Sequence, residues 1–167
     1  YHQEKAPGMA GENVETLIIG GGQAGLAMSE HLGKQGLPHL VVERHRIAER
    51  WRSERWDTLV ANGPAWHDRF PNMTFPGIEP DSFAPRGNIV DYLVAYSKQI
   101  ESPIRCGVAV RSVRQKADGA GFVVETSAGV IEAANVVAAT GPFQRAVIPP
   151  LVPVSAGLEQ IHSNAYR

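Results

Sequence analysis

Cysteine is almost absent from this sequence: Cys106 stands alone among 167 residues. A single thiol excludes an internal disulfide framework and a redox cysteine pair, and it fits a reducing compartment. Cys106 is expected to be a buried structural thiol. An excess of either charge is also lacking. Lys and Arg total 16 against 17 Asp and Glu, a net charge of −1, which argues against a nucleic-acid or anionic-membrane partner. No apolar run approaches the roughly 20 residues a bilayer span requires. No signal-peptide pattern precedes the first apolar strand either, so a cytoplasmic protein is expected. The six histidines show no metal-ligand spacing such as H-E-x-x-H, and no metal site is expected. Without a G-x-S-x-G elbow, serine-hydrolase chemistry has no support.

What remains is an ordinary globular composition. With 43% hydrophobic residues in 167, the chain is about one domain long and can bury a core. Met9 looks a more natural start than Tyr1, so residues 1–13 read as a tag or disordered lead and 14–167 as the domain. The stretch EQIHSNAYR at the far end carries no helix stop signal and no closing strand.

The pattern of elements is α/β. Val14 to Ile19 is a short apolar run bounded by polar residues and glycine, as expected of a strand buried on both faces. Gln23 to Gln35 has helical spacing, with Gly36 as its stop, and Leu37 to Glu43 forms a second strand. This is the opening of a doubly wound parallel sheet with a right-handed crossover. Arg44 to Pro85 holds all three tryptophans and little periodicity, and reads as a long functional loop with one helical turn. Asn88 is placed as the cap of a helix running to about Ile100. Ile104 to Cys106 is a short strand. Val108 to Arg114, Gly121 to Thr126 and Val130 to Glu132 suggest a small antiparallel meander, and Ala134 to Ala139 a further buried strand.

The chemistry starts at Gly20, Gly22 and Gly25, which fit G-x-G-x-x-G between strand and helix. The first permits a tight turn, the second lets backbone approach a pyrophosphate, and the third lets the helix pack against the sheet. Ser29, one turn on, keeps that packing close. N–H groups at the helix start face the diphosphate. Glu43 closes the second strand about 20 residues on, where a carboxylate accepts hydrogen bonds from ribose hydroxyls and repels a 2′-phosphate. FAD or NAD fits such a site; NADP(H) does not. Glycine-rich turns also serve geometry alone, and a strand-end carboxylate can simply be solvated.

A second glycine signal, Thr140-Gly141 in NVVAATGPF, follows the meander directly after a buried strand. With it the chain resembles flavoproteins that bind two dinucleotides. The stretch ERWRSERWDTLVANGP, Glu49 to Pro64, resembles the tryptophan-bearing loop and Asn-Gly-Pro turn of flavin-containing monooxygenases and related bacterial FAD-dependent oxidoreductases. FAPRGNIVDYLVAYSKQ and GLEQIHSNAYR resemble two further stretches of that family. The resemblance runs from Val14 to Arg167. It implies Gly20, Gly22, Gln23, Ala24 and Gly25 around the diphosphate, Glu43 on the ribose, and Arg44 beside the adenine. It also implies Arg50, Trp51 and Trp56 in the loop over the cofactor, Val110 offering backbone to the adenine edge, and Thr140 and Gly141 on the returning strand. Asn62 would lie near the reactive face of the flavin as the catalytic residue. Where relatives often carry Gly-Gly before the first loop tryptophan, Ala48, Glu49 and Arg50 stand here.

Each of these residues also has a plainer reading. The tryptophans could pack the loop, the arginines could form a solvated mixed-charge face, and Asn62 could only hold its turn.

The fold expected is therefore a Rossmann-like FAD-binding domain, a parallel sheet with an antiparallel meander, incomplete at its C-terminal end. No second G-x-G-x-x-G is present, so the NADPH domain lies outside the chain, which reads as the first half of a longer oxidoreductase. The resemblance implies FAD reduced by NADPH, a C4a-(hydro)peroxyflavin, and oxygenation of a small nucleophile or ketone. The alternatives are a flavoprotein reductase or dehydrogenase without oxygen activation, a simple NAD-binding domain, and a non-catalytic nucleotide-binding module. A small-molecule substrate is expected and no membrane or nucleic acid; a homodimer is compatible with the sequence.

Overall fold

The apolar run Leu17-Ile18-Ile19 becomes the middle of a sheet because both of its faces find cover. In the computed structural model, which describes residues 11–142, 145–151 and 157–167, β1 spans Glu12–Ile19, α1 Gln23–Lys34 and β2 His39–Glu43. β1 starts at Glu12, ahead of the expected Val14; residues 1–10 of the expected lead lie outside the described residues. β1 pairs in parallel with β2, Leu17 opposite Leu40. Leu26 of the helix between them joins a buried cluster with Ala48, Phe70 and Leu93, and Leu17, Ile18, Leu26 and Val41 are all fully buried. Ser29 is also buried, but as a polar tie: its hydroxyl meets His39 Nε2 at 2.8 Å and Ser102 Oγ at 2.7 Å.

Two short helices, α2 (Glu49–Ser53) and α3 (Ala65–Asp68), interrupt the expected long loop, which leads to α4 (Arg86–Gln99). Helix α4 begins two residues before the expected Asn88 cap, with Pro85 in the cap position at φ −60°. Proline fixes the entry angle, and Arg86 secures it by donating to the carbonyls of Arg52 and Arg55 and pairing with Asp57 at 2.9 Å. Backbone bonds Ala61 N to Ala84 O (2.8 Å), Ala65 N to Ser82 O (2.8 Å) and Arg86 N to Leu59 O (2.9 Å) lace the segment to itself. Its core is aromatic. Phe70 stacks on Tyr96 with ring centroids 3.9 Å apart, and Phe75 on Tyr92 at 4.0 Å.

The remaining strands are β3 (Ile104–Cys106), β4 (Val110–Gln115), β5 (Phe122–Thr126) and β6 (Gly129–Ala138). Together the strands make a six-stranded sheet in the order β3-β2-β1-β6-β5-β4. The expectation of separate strands at Val130–Glu132 and Ala134–Ala139 is corrected here. They are one strand, because a single register serves both neighbours: β6 pairs antiparallel with β5 and parallel with β1. Cys106 is corrected too. It lies exposed on β3, the edge strand of the sheet among the described residues. Among the described residues no helix is long and apolar enough to cross a membrane, and no group of three metal-ligating side chains occurs.

Candidate functional site

The glycine turn is built by backbone pressed against backbone. Gly20 adopts φ +118°, a conformation side chains rarely take, and its N–H donates to Val42 O at 2.8 Å. A Cβ there would fall on the Ala139 carbonyl, where β6 returns. A Cβ at Gly25 would fall on the Gly20 carbonyl oxygen, so the first turn of α1 sits directly on the loop. Gly22 differs: a Cβ on it would meet nothing within 4 Å. That side of the turn is open.

Gly22 caps α1 without a side-chain cap, and the first intrahelical bond is Leu26 N to Gly22 O at 3.0 Å. The N–H groups of Gly22, Gln23, Ala24 and Gly25 therefore lack helical partners, as at every helix start. With the dipole of a 12-residue helix behind them, they favour an anion in the open space beside Gly22.

Glu43 turns towards this loop. Its Oε2 accepts from Gly21 N at 2.8 Å and its Oε1 from His45 N at 2.9 Å. Each carboxylate oxygen keeps a second lone pair, so the acid is anchored yet still able to accept from a hydroxyl. Val108 N donates to Glu43 O at 2.9 Å, which brings the chain leading to Val110, the first residue of β4, beside the same strand end. Thr140 and Gly141 follow β6 next to Gly20, with Gly141 at φ +77°. Arg44 is exposed just beyond Glu43.

A cavity of about 260 Å3 opens next to the turn, lined by Gln23, Trp51, Asn62, Asp68 and the aromatic rings of Phe70, Phe75 and Tyr92. Gln23, Trp51 and Asn62 thus come together from three separate stretches. Trp51 carries the Arg55 guanidinium 5.8 Å from its ring centroid, and Arg50 pairs with Glu54 at 3.1 Å. Trp56 is half-buried and does not line the cavity. Ala48 explains the departure from Gly-Gly: it sits in the left-handed region at φ 59°, ψ 27°, and its N–H donates to Gly21 O at 3.3 Å. The conformation is one glycine takes freely, kept here with an alanine.

Among the described residues Asp68 is the one charged group in the cavity wall. Burial pushes the Tyr92 phenol up, and burial with the neighbouring Glu30 carboxylate does the same for Tyr96, so both stay protonated at neutral pH. Tyr92 Oη accepts from Phe70 N at 2.6 Å and donates to Met73 O at 2.8 Å. Sequence reasoning missed Asp68, Phe70, Phe75 and Tyr92 as site residues. Their only signal was the apolar face Ile89, Leu93 and Tyr96 of α4, which marks burial rather than a cavity.

An anion cradle, an anchored acid one strand away and an adjoining aromatic cavity make a seat suited to a dinucleotide. The chain belongs to the pyridine nucleotide-disulphide oxidoreductase family, which matches residues 17–166, and within it resembles flavin monooxygenases. An uncharacterized CzcO-like oxidoreductase of Geobacillus kaustophilus is 38% identical over 155 residues, covering 92% of this chain and 43% of that protein. A probable indole-3-pyruvate monooxygenase of Arabidopsis thaliana is 28% identical over 158 residues, 90% of this chain and 37% of that one. The solved flavin-containing monooxygenase of Stenotrophomonas maltophilia superposes with a TM-score of 0.72 at 25% identity, over 83% of this chain and 41% of that structure. The chain spans less than half the length of these relatives. The open face at Gly22 has room for the diphosphate of a dinucleotide. Cys106 is the one cysteine, so the disulphide chemistry in the family's name has no cysteine pair within this chain.

Proposed function

We propose that this chain is the FAD-binding portion of an NADPH-dependent, monooxygenase-type flavoprotein that oxygenates a small nucleophile or ketone. The observation that carries the reading is the cradle at Gly22, where open space, four helix-start N–H groups and the Glu43 carboxylate converge. In it, Gly20, Gly22, Gln23, Ala24 and Gly25 hold the diphosphate. Glu43 accepts from the ribose, Arg44 and the backbone near Val110 flank the adenine, and Thr140 and Gly141 line the returning strand. Arg50, Trp51 and Trp56 cover the cofactor. Asn62 lines the cavity with Gln23 and Trp51, and its carboxamide is the group that donates to the reacting centre. The bound flavin supplies electron transfer and oxygen chemistry. The protein's part is to bind, to orient, and to keep water from the centre with the Phe70, Phe75 and Tyr92 wall.

The test uses the full-length protein. FAD should co-purify, NADPH should bleach it, and 18O2 should deliver one labelled atom into a nucleophilic substrate such as a thioether or tertiary amine. FAD binding with hydrogen peroxide as the sole oxygen product would assign a reductase or oxidase instead. Absence of FAD uptake would leave a non-catalytic module.

A further inference from the structure

Asn62 lines the cavity, its carboxamide makes no hydrogen bond to another described residue, and its neighbours' backbone bonds hold its main chain in place. On one side that backbone is secured by Ala61 N donating to Ala84 O at 2.8 Å. On the other, Gly63 N donates to Asp68 Oδ2 at 2.9 Å. The same carboxylate meets His67 Nδ1 at 2.8 Å through Oδ1. Asp68 reaches Gly63 because α3 is one turn long: His67 N and Asp68 N both donate to Pro64 O, at 2.9 and 3.1 Å. The fit is close. A Cβ on Gly63 would fall on Asp68 Oδ1 and stand 3.0 Å from both Asp68 Cγ and His67 Nδ1.

Resting on the flavoprotein reading above, we propose that Asp68 is a positioning residue for Asn62: by clamping the Gly63 amide it fixes the Asn62 carboxamide relative to the flavin ring, and Gly63 is glycine to leave room for that clamp. Asp68 is remote from the glycine turn along the chain, and none of the bonds of the diphosphate cradle passes through it. Removing the clamp should therefore spare cofactor uptake and damage turnover, whereas damage to the cradle would remove the cofactor.

The experiment compares full-length wild type, Asp68→Ala, Asp68→Asn, Gly63→Ala and the Gly63→Ala/Asp68→Ala double variant. Measured are FAD affinity, visible circular dichroism of the bound flavin, and kcat and KM for NADPH-dependent turnover. Asp68→Ala should bind FAD within a few-fold of wild type, change the flavin dichroism and lower kcat by about 10- to 100-fold, the scale of a misplaced catalytic group. Asp68→Asn keeps an oxygen acceptor for Gly63 N–H and should recover most of that loss. Gly63→Ala should reproduce the defect, and the double variant should be no worse than Asp68→Ala, since the obstructing carboxylate is gone and the exposed His67 ring can swing away. Wild-type dichroism and kcat in Asp68→Ala would overturn the proposal, as would an Asp68→Asn variant as impaired as Asp68→Ala. If Asp68→Ala fails to fold, the Asp68→Asn and Gly63→Ala pair decides by the same criteria. A wild-type protein that takes up no FAD would instead bring down the functional reading on which this proposal rests.

Discussion

The glycine turn and the Arg44–Pro85 segment flank one cavity but are made of different materials. At Gly20 to Gly25 the contacts are main chain on main chain: a Cβ at either end would strike a carbonyl oxygen. Across the cavity, side chains that grip main chain are added to the backbone bonds and stacked rings of the segment. Arg86 gathers the carbonyls of Arg52 and Arg55, Tyr92 bridges Phe70 and Met73, and Asp68 holds Gly63. A main-chain construction tolerates only glycine and so marks the sequence with a fixed spacing. A side-chain construction accepts many residue combinations and leaves a weaker mark. The first should therefore break abruptly under substitution, the second by degrees.

Gly25→Val attacks the first material and should have the largest effect. Its β-carbon would occupy the position of the Gly20 carbonyl oxygen, so the helix must move away from the loop. Overpacking of this kind costs about 3 kcal/mol or more, and FAD absorbance after purification should fall to background while the melting temperature drops. A variant that still purifies yellow would contradict the main-chain account. Tyr92→Phe attacks the second material. It strands the buried Phe70 amide and removes the donor from the part-buried Met73 carbonyl, at about 1–3 kcal/mol. Denaturant melts should report that loss with FAD still bound.

Acid provides a gentler probe of the side-chain region. The Arg46 guanidinium holds the Glu49 carboxyl down to about 2, against partial burial and with help from Ser53 and the Arg46 backbone. For buried Glu30, burial pulls upward, but Lys34, Tyr96 and Asn72 together hold it below the usual carboxylate range. Groups with lowered folded pKa values stabilise the fold fully above their unfolded values, near 4.5. That stability is lost as pH falls through the folded values. Stability should thus be flat above about pH 5 and decline towards pH 2, and Glu49→Gln should flatten the decline. A melting temperature independent of pH between 5 and 2.5 would rule this out. Ala48→Gly should have the smallest effect. Relief of the left-handed strain at φ 59° offsets the added freedom of glycine in the unfolded chain, leaving stability within about 1 kcal/mol of wild type.

The same contrast decides what could be read in advance. The alternation of strand, glycine turn, helix and strand was legible because steric exclusion and period leave few options at those positions. Helix α4 was legible in its buried face but not in its start. Asn88 looked like a cap, while Pro85 and the distant carbonyls held by Arg86 set the boundary. The fusion of two expected strands into β6 was hidden because Ala133 and Ala134 carry no turn signal and no strong strand preference; only pairing with β1 and β5 decides. Cys106 was misplaced for a related reason: short strands look alike whether central or marginal, and here the strand is the outermost. Asp68 went unread because its partner Gly63 is reached by folding back across one helical turn.

β6 also has a mechanical role. Its first residues are zipped into the hairpin with β5, and its last deliver Ala139 against Gly20. A slip of one residue in that hairpin would travel along the strand as a shift of about 3.3 Å, far more than the turn's tolerances allow. The small hairpin at the rim thus acts as the gauge block for the nucleotide seat, and loosening its turn at Thr126–Gly129 would put the seat out of true without touching it.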